Sequence, residues 1–154
     1  MVKRLSDMPE VEANHLRRIV CQTYDDTPLL AGKPLGQRRV AIISTAGLHR
    51  RGDRPFQPGD GSYRVIPAET PAGELVMSHI SVNFDRTGFQ QDLNVAFPID
   101  RLREAAADGA IGSMAAIHYS FMGAFPPEAA APHAKHLAGL LKADKVDAAL
   151  LVPV

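Results

Sequence analysis

Five consecutive residues, Val40–Ser44, read VAIIS: apolar, largely β-branched and without polar alternation. A run of this kind suits a strand buried on both faces, the condition of strands inside a parallel sheet. Three further segments read as strands. "ELVMSHISV" alternates Leu75, Met77, His79 and Ser81 with Val76, Ser78, Ile80 and Val82; a third strand falls near Met114–Ser120, and "VDAALLVPV" is a fourth. Helical signals separate them. Val11, Leu16, Ile19 and Val20 keep helical spacing within "VEANHLRRIVC", behind a cap region at Asp7, and "PIDRLREAAADG" has Pro98 near its start and Gly109 after its end. Pro126–Pro127 open a long helix with Leu137, Leu140 and Leu141 on one side, and Pro132 is expected to delay its start. Strand, loop, strand, helix, strand, helix, strand predicts an α/β fold, a Rossmann-like three-layer domain with a mainly parallel sheet.

At 154 residues the chain fits one domain, with an amino-terminal helix and connector over 1–38 and the body over 39–154. Seventeen basic and seventeen acidic residues cancel, which removes any electrostatic case for nucleic acid or an anionic membrane. The single cysteine, Cys21, excludes a disulfide framework and a Cys-rich zinc motif. On the apolar side of the first helix it reads as a small buried hydrophobe. The first residues lack the apolar centre of a signal peptide and no run spans a membrane, so a cytoplasmic location is the default expectation.

In parallel α/β sheets, chemistry gathers beyond the carboxyl ends of the strands. That rule points to Ser44, Thr45, Gly47 and His49 after the first strand. It adds Asn83, Asp85, Asp92 and Asn94 after the second, and His118, Tyr119, Ser120 and Gly123 around the third. "STAGLH" has one glycine where a dinucleotide fingerprint needs three, so Ser44 and Thr45 fit backbone capping or a small anion better than a nucleotide. In "GDGSYRVIP", Arg64 could clamp a carboxylate; alternatively Asp60–Gly61 makes a tight turn and Arg64 pairs with a neighbouring acid, and this second reading is favoured. His49, His79 and His118 with Asp85 and Asp92 offer metal-ligand chemistry without any diagnostic spacing. His133 and His136 read as surface residues.

Six segments in order, "VAIISTAGLH", "GDRPF", "GDGSYRVIP", "SHISVNFDRTGFQQDLNVAFPIDRL", "GAIGSMAAIHYSFMG" and "KVDAALLVPV", give the chain a wider resemblance. From about Arg39 to Val154 it resembles the selenoprotein B family of glycine, sarcosine, betaine and D-proline reductases. The resemblance implies reductive cleavage of a carbon–nitrogen bond. In that family a partner subunit with a pyruvoyl group holds the substrate amine. A selenocysteine, or a cysteine in some relatives, attacks the substrate, and a second cysteine resolves the product with thiol or selenoprotein redox partners. Chalcogen nucleophiles react in their deprotonated form.

The family nucleophile comes directly after the strand matching "DAALLVPV", so no catalytic residue is expected within these 154 residues. Selenocysteine is encoded by UGA, and the expectation is a product cut at such a codon and inactive alone. The resemblance and the strand-end rule together mark Ser44, Thr45, His49, Asp60, Tyr63, Arg64, His79, Asp85, Asp92, Asn94, His118 and Tyr119 as contacts of substrate or intermediate, with no metal. A truncated sheet would expose an edge and favour a homo-oligomer. Two other readings stay open: a short non-catalytic homologue that binds a ligand or subunit, and a metal enzyme using His49, His79, Asp85 and His118.

Overall fold

A computed structural model describes residues 4–19, 23, 25, 29–81 and 86–154. The chain divides into two compact units, Met1–Ala31 and Gly32–Val154. In the first, a short 3-10 turn at Leu5–Asp7 precedes helix α1, Glu10–Arg17. Glu10 and Glu12 in its first turn and His15 and Arg17 in its last complement the helix dipole. The predicted helix runs on to Cys21, but the observed one stops at Arg17 and Ile19 already lies beyond it; Cys21 is outside the described residues.

The second unit is a mixed α/β body. In chain order it contains β1 (Arg39–Ser44), β2 (Leu48–Arg50), β3 (Arg64–Pro67), β4 (Leu75–Met77), α2 (Thr87–Gln91), α3 (Ile99–Ala107), β5 (Ser113–Met114), β6 (Ile117–Ser120), α4 (Pro127–Ala143) and β7 (Ala148–Val152). β1 is central, with β5 and β6 parallel to it along one flank and β7 parallel along the other. β3 adds antiparallel to β6, so the sheet is mainly parallel, as its apolar runs predict.

The segment "ELVMSHISV" behaves differently from expectation. Among its described residues only Leu75–Met77 is strand, and it pairs antiparallel with β2 in a separate two-stranded sheet. Beyond Met77 the backbone is drawn toward the β1–β2 turn, where the Ser78 N–H donates to the Gly47 carbonyl at 2.9 Å. β2 and β3 both fall between the first and second predicted strands, where the sequence predicts a loop. At three and four residues they are too short to show a period.

Apolar packing makes three layers. Val40, Ile42 and Ile66 on one sheet face meet Ile99 and Leu102 of α3, Phe97, and Leu48 and Leu75 of the small sheet. The opposite face packs Ile43, Ile117, Tyr119 and Phe121 against Leu137, Leu140 and Leu141 of α4. α4 begins at Pro127 and runs through Pro132, so that proline delays nothing. The missing N–H removes one rung near the helix start, and leucine packing further along outweighs the loss. Arg39 fastens the amino end of β1. Its guanidinium donates to Met114 O and Asp144 O, both at 2.9 Å, and to Asp144 Oδ1 at 2.8 Å. Among the described residues no helix is long and apolar enough to cross a membrane.

The β1 ladder is interrupted on one flank. Val40 pairs with Met114 and Ile43 with Tyr119, so Ala41 and Ile42 face four residues, Ala115–His118. Extra residues on one strand form a bulge and leave ladder groups without backbone partners. Here the Ile42 N–H donates to Nδ1 of His118 at 2.9 Å. A side chain thus stands in for a missing carbonyl.

Candidate functional site

The registers align one row across the sheet at its carboxyl edge: Arg64 on β3, Ser120 on β6, Ser44 on β1 and Val152 on β7. Each member holds a turn in place. The Ser44 hydroxyl donates to Ala96 O at 2.7 Å and accepts from Ala46 N–H at 3.2 Å, fully buried. The Ser120 hydroxyl accepts the Leu48 N–H at 2.9 Å. Gly47, at φ +69°, donates its N–H to Phe121 O at 2.8 Å; a Cβ there would fall 2.9 Å from His79 N. Only glycine permits both that backbone and that approach.

Thr45 and Gly123 complete the edge. The Thr45 N–H donates to Val152 O at 3.0 Å. Its hydroxyl accepts the Val154 N–H at 2.8 Å and donates to the Val154 oxygen at 3.3 Å. Gly123, at φ +85°, lies so near that a Cβ on it would stand 2.9 Å from Thr45 O. The segments after β1, β6 and β7 therefore meet at Thr45.

The other expected residues distribute around this edge. His79 is buried beside Gly47; its Nδ1 accepts the Ser81 N–H at 3.2 Å and its carbonyl accepts from Arg86. Burial, and then the Arg86 charge, lower its pKa and favour the neutral ring. His49 Nδ1 lies 2.9 Å from Arg50 O and Nε2 lies 2.7 Å from the Ser78 hydroxyl. A carbonyl only accepts, so Nδ1 carries the proton, and in the neutral ring Nε2 accepts from Ser78.

Arg64 pairs with an acid, the favoured reading. It donates to Asp60 Oδ2 at 2.9 Å, to Ser62 Oγ and to the carbonyls of Arg54, Pro55 and Tyr63, which occupies all five N–H groups. Its guanidinium also lies 4.1 Å from the centre of the Phe56 ring. Burial pushes the Asp60 carboxyl up, but bonds from Ser62 and Arg64 outweigh it and hold it at about 2.

Tyr63 and Tyr119 belong to the α4 face. Their rings meet edge-on at 5.5 Å, burial raises both pKa values, and the Tyr63 hydroxyl lies 2.8 Å from His136 Nδ1. His136 is exposed, as expected of a surface residue, and its ring also partners Tyr63. Asp92 and Asn94 serve α3: Asn94 Oδ1 accepts the Asp100 N–H at 3.0 Å, and Asp92 Oδ1 accepts both Asn94 N–H groups at 2.9 Å. Those two bonds lower the Asp92 pKa. Asn83 and Asp85 lie outside the described residues.

His118 is fully buried in the bulge. Since Nδ1 accepts from Ile42, Nε2 carries the proton of the neutral ring, and it has no hydrogen-bond partner among the described residues. The Phe97 ring stands 5.8 Å away at 84°. Burial, with Arg103 and Arg39 adding, pushes the His118 pKa down to about 4.

Two hollows of about 370 and 350 Å³ lie elsewhere. Arg50, Arg51 and Glu74 border the first, and Arg39, Arg103 and Ala116 the second. All four arginines are bonded to protein oxygens, Arg51 through a single bond to the Gly73 carbonyl. Among the described residues no group of three or more His, Cys, Asp or Glu side chains is gathered as a metal ion requires. Sequence reasoning names Ser120 and Gly123 as loop positions without counting them as contacts, and it misses the Val154 backbone as Thr45's partner.

A mainly parallel α/β sheet whose turns converge at its carboxyl edge defines the class. The family model for glycine/sarcosine/betaine reductase selenoprotein B matches residues 62–154, and the chain belongs to that family. It is 35% identical over 126 residues to the D-proline reductase subunit gamma of Acetoanaerobium sticklandii, an alignment covering 77% of this chain and 50% of that protein. The chain thus spans about half the length of this curated relative. No solved structure matches it.

Proposed function

We propose that this chain is part of a selenol- or thiol-dependent reductase that cleaves the carbon–nitrogen bond of glycine, sarcosine, betaine or D-proline. The similarity to a D-proline reductase subunit favours D-proline among the four. One observation carries the reading: Thr45 grips the backbone of Val154 at the carboxyl edge, where the family resemblance puts the redox residue next in sequence. In this proposal the sheet is half of a Rossmann-like arrangement and a selenocysteine or cysteine follows Val154 directly. That residue supplies the nucleophile and, with a second cysteine, the reducing electrons. A pyruvoyl-bearing partner subunit holds the substrate amine.

The chain's own residues build the approach. Gly47 and Gly123 keep side chains off the edge, Ser44 and Ser120 fix the turns, and neutral His79 packs beside them. β7 leaves Leu150 and Leu151 40% and 67% exposed, surface that further chain or a partner subunit would cover. Reading the codon after Val154 tests the proposal. UGA or a cysteine codon is expected, with a second cysteine codon a few triplets on; UAA, UAG or an unrelated codon overturns it. The purified 154-residue chain, given a dithiol, is expected to turn over none of the four amines.

A further inference from the structure

Thr45 is the point at which β1 stops pairing through its backbone and starts pairing through a side chain. The β1–β7 ladder runs in register from Val40↔Ala148 to Ser44↔Val152. Past that rung, Pro153 has no N–H to offer and the chain would fray as strand ends do. Instead the Thr45 hydroxyl takes both the N–H and the oxygen of Val154, at 2.8 and 3.3 Å. Thr45 is itself held: its N–H is bonded to Val152 O and its backbone lies against Gly123. A hydroxyl acting as donor and acceptor toward one residue fixes both the position and the direction of the chain leaving it.

We infer that Thr45 is a positioning residue for the reactive group, holding the backbone from which that group projects. That a reactive group stands next to Val154 rests on the proposed function, whereas the hold on Val154 rests on the clamp alone. The geometry matters because a nucleophile on a fraying end samples many orientations, whereas one anchored a single residue away is pre-oriented for attack. Thr45 touches no reacting atom in this assignment. It replaces the expectation of Thr45 as a substrate contact.

The test has two readouts, with Thr45→Val and Thr45→Ser as the variants. In the 154-residue chain, hydrogen exchange of the Val154 amide is expected to quicken about tenfold in Thr45→Val and to stay slow in Thr45→Ser. Next, a cysteine followed by two glycines is appended after Val154 in a Cys21→Ser background, and a nitroxide label is attached to it. The label's correlation time is expected to fall about threefold in Thr45→Val and to recover in Thr45→Ser. A control label at Val65→Cys, the exposed position of β3, is expected not to change. A label equally immobile with and without the hydroxyl overturns the positioning role, as does an unchanged Val154 exchange rate. If both readouts behave as expected but the gene has no selenocysteine or cysteine after Val154, the clamp stands and the reductase reading falls.

Discussion

Two side chains on opposite flanks of β1 each replace a backbone group that the ladder lacks. His118 does so inside the β6 bulge, accepting the Ile42 N–H where no carbonyl reaches. Thr45 does so beyond the last rung shared with β7, bonding Val154 at both its N–H and its oxygen. The first is fully buried beside Phe97, while the second is partly buried at the carboxyl edge. The two differ in setting: the substitute in the core is enclosed, whereas the one at the edge holds backbone beyond the last rung of the ladder, where the proposed positioning role would act.

Removing the core substitute has the largest expected effect. His118→Ala leaves the Ile42 N–H without a partner and opens a cavity, so chemical denaturation at neutral pH is expected to show a loss of about 3–4 kcal/mol. Acid provides the next test. The folded His118 pKa, about 4, lies below its ordinary value of 6.5, so between those limits the unfolded chain binds a proton that the folded chain refuses. Stability is therefore complete above 6.5 and declines as pH falls toward 4, by on the order of 3 kcal/mol. His118→Gln, which can still accept from Ile42, is expected to flatten that slope; an identical slope would show that the acid sensitivity arises elsewhere.

At the edge the expected effects are smaller. Gly123→Ala forces a side chain onto a positive φ and against Thr45 O, and a stability loss of about 2 kcal/mol is expected in the same assay. Thr45→Val is expected to cost only about 1 kcal/mol, since the bonds it loses lie at a partly buried end. A loss as large as that of His118→Ala would erase the contrast between the two sites.

These sites also mark how far the sequence could be read. Val40–Ser44 and Ala148–Val152 announce parallel strands because burial on both faces removes polar alternation. The proline and glycine around α3 announce its limits. β2 and β3 give no such signal, since three or four residues among glycines and prolines hold no period. The strand-end rule points to Ser44, Thr45 and Ser120, which do meet at one edge, whereas Arg64 joins it through β3, a strand that the sequence does not announce. It cannot say that the Arg64 donors are spent on its own loop, because Asp60, Ser62 and three carbonyls converge only once the loop folds. His118 reads as a ligand for the same reason: the bulge that gives it a backbone partner is a matter of register between strands far apart in sequence.

That register has a consequence for how the molecule is made. Val40 pairs with Met114 on one side and Ala148 on the other. During synthesis the central strand therefore emerges long before either neighbour, and at about 5–20 residues per second it waits on the order of 5–20 s for the last. Through that interval the apolar segment Val40–Ile43 has no sheet to join. Contacts this distant in sequence also slow folding from the unfolded state. The segment that anchors the finished sheet is thus the one most in need of shelter by a chaperone while the chain is still growing.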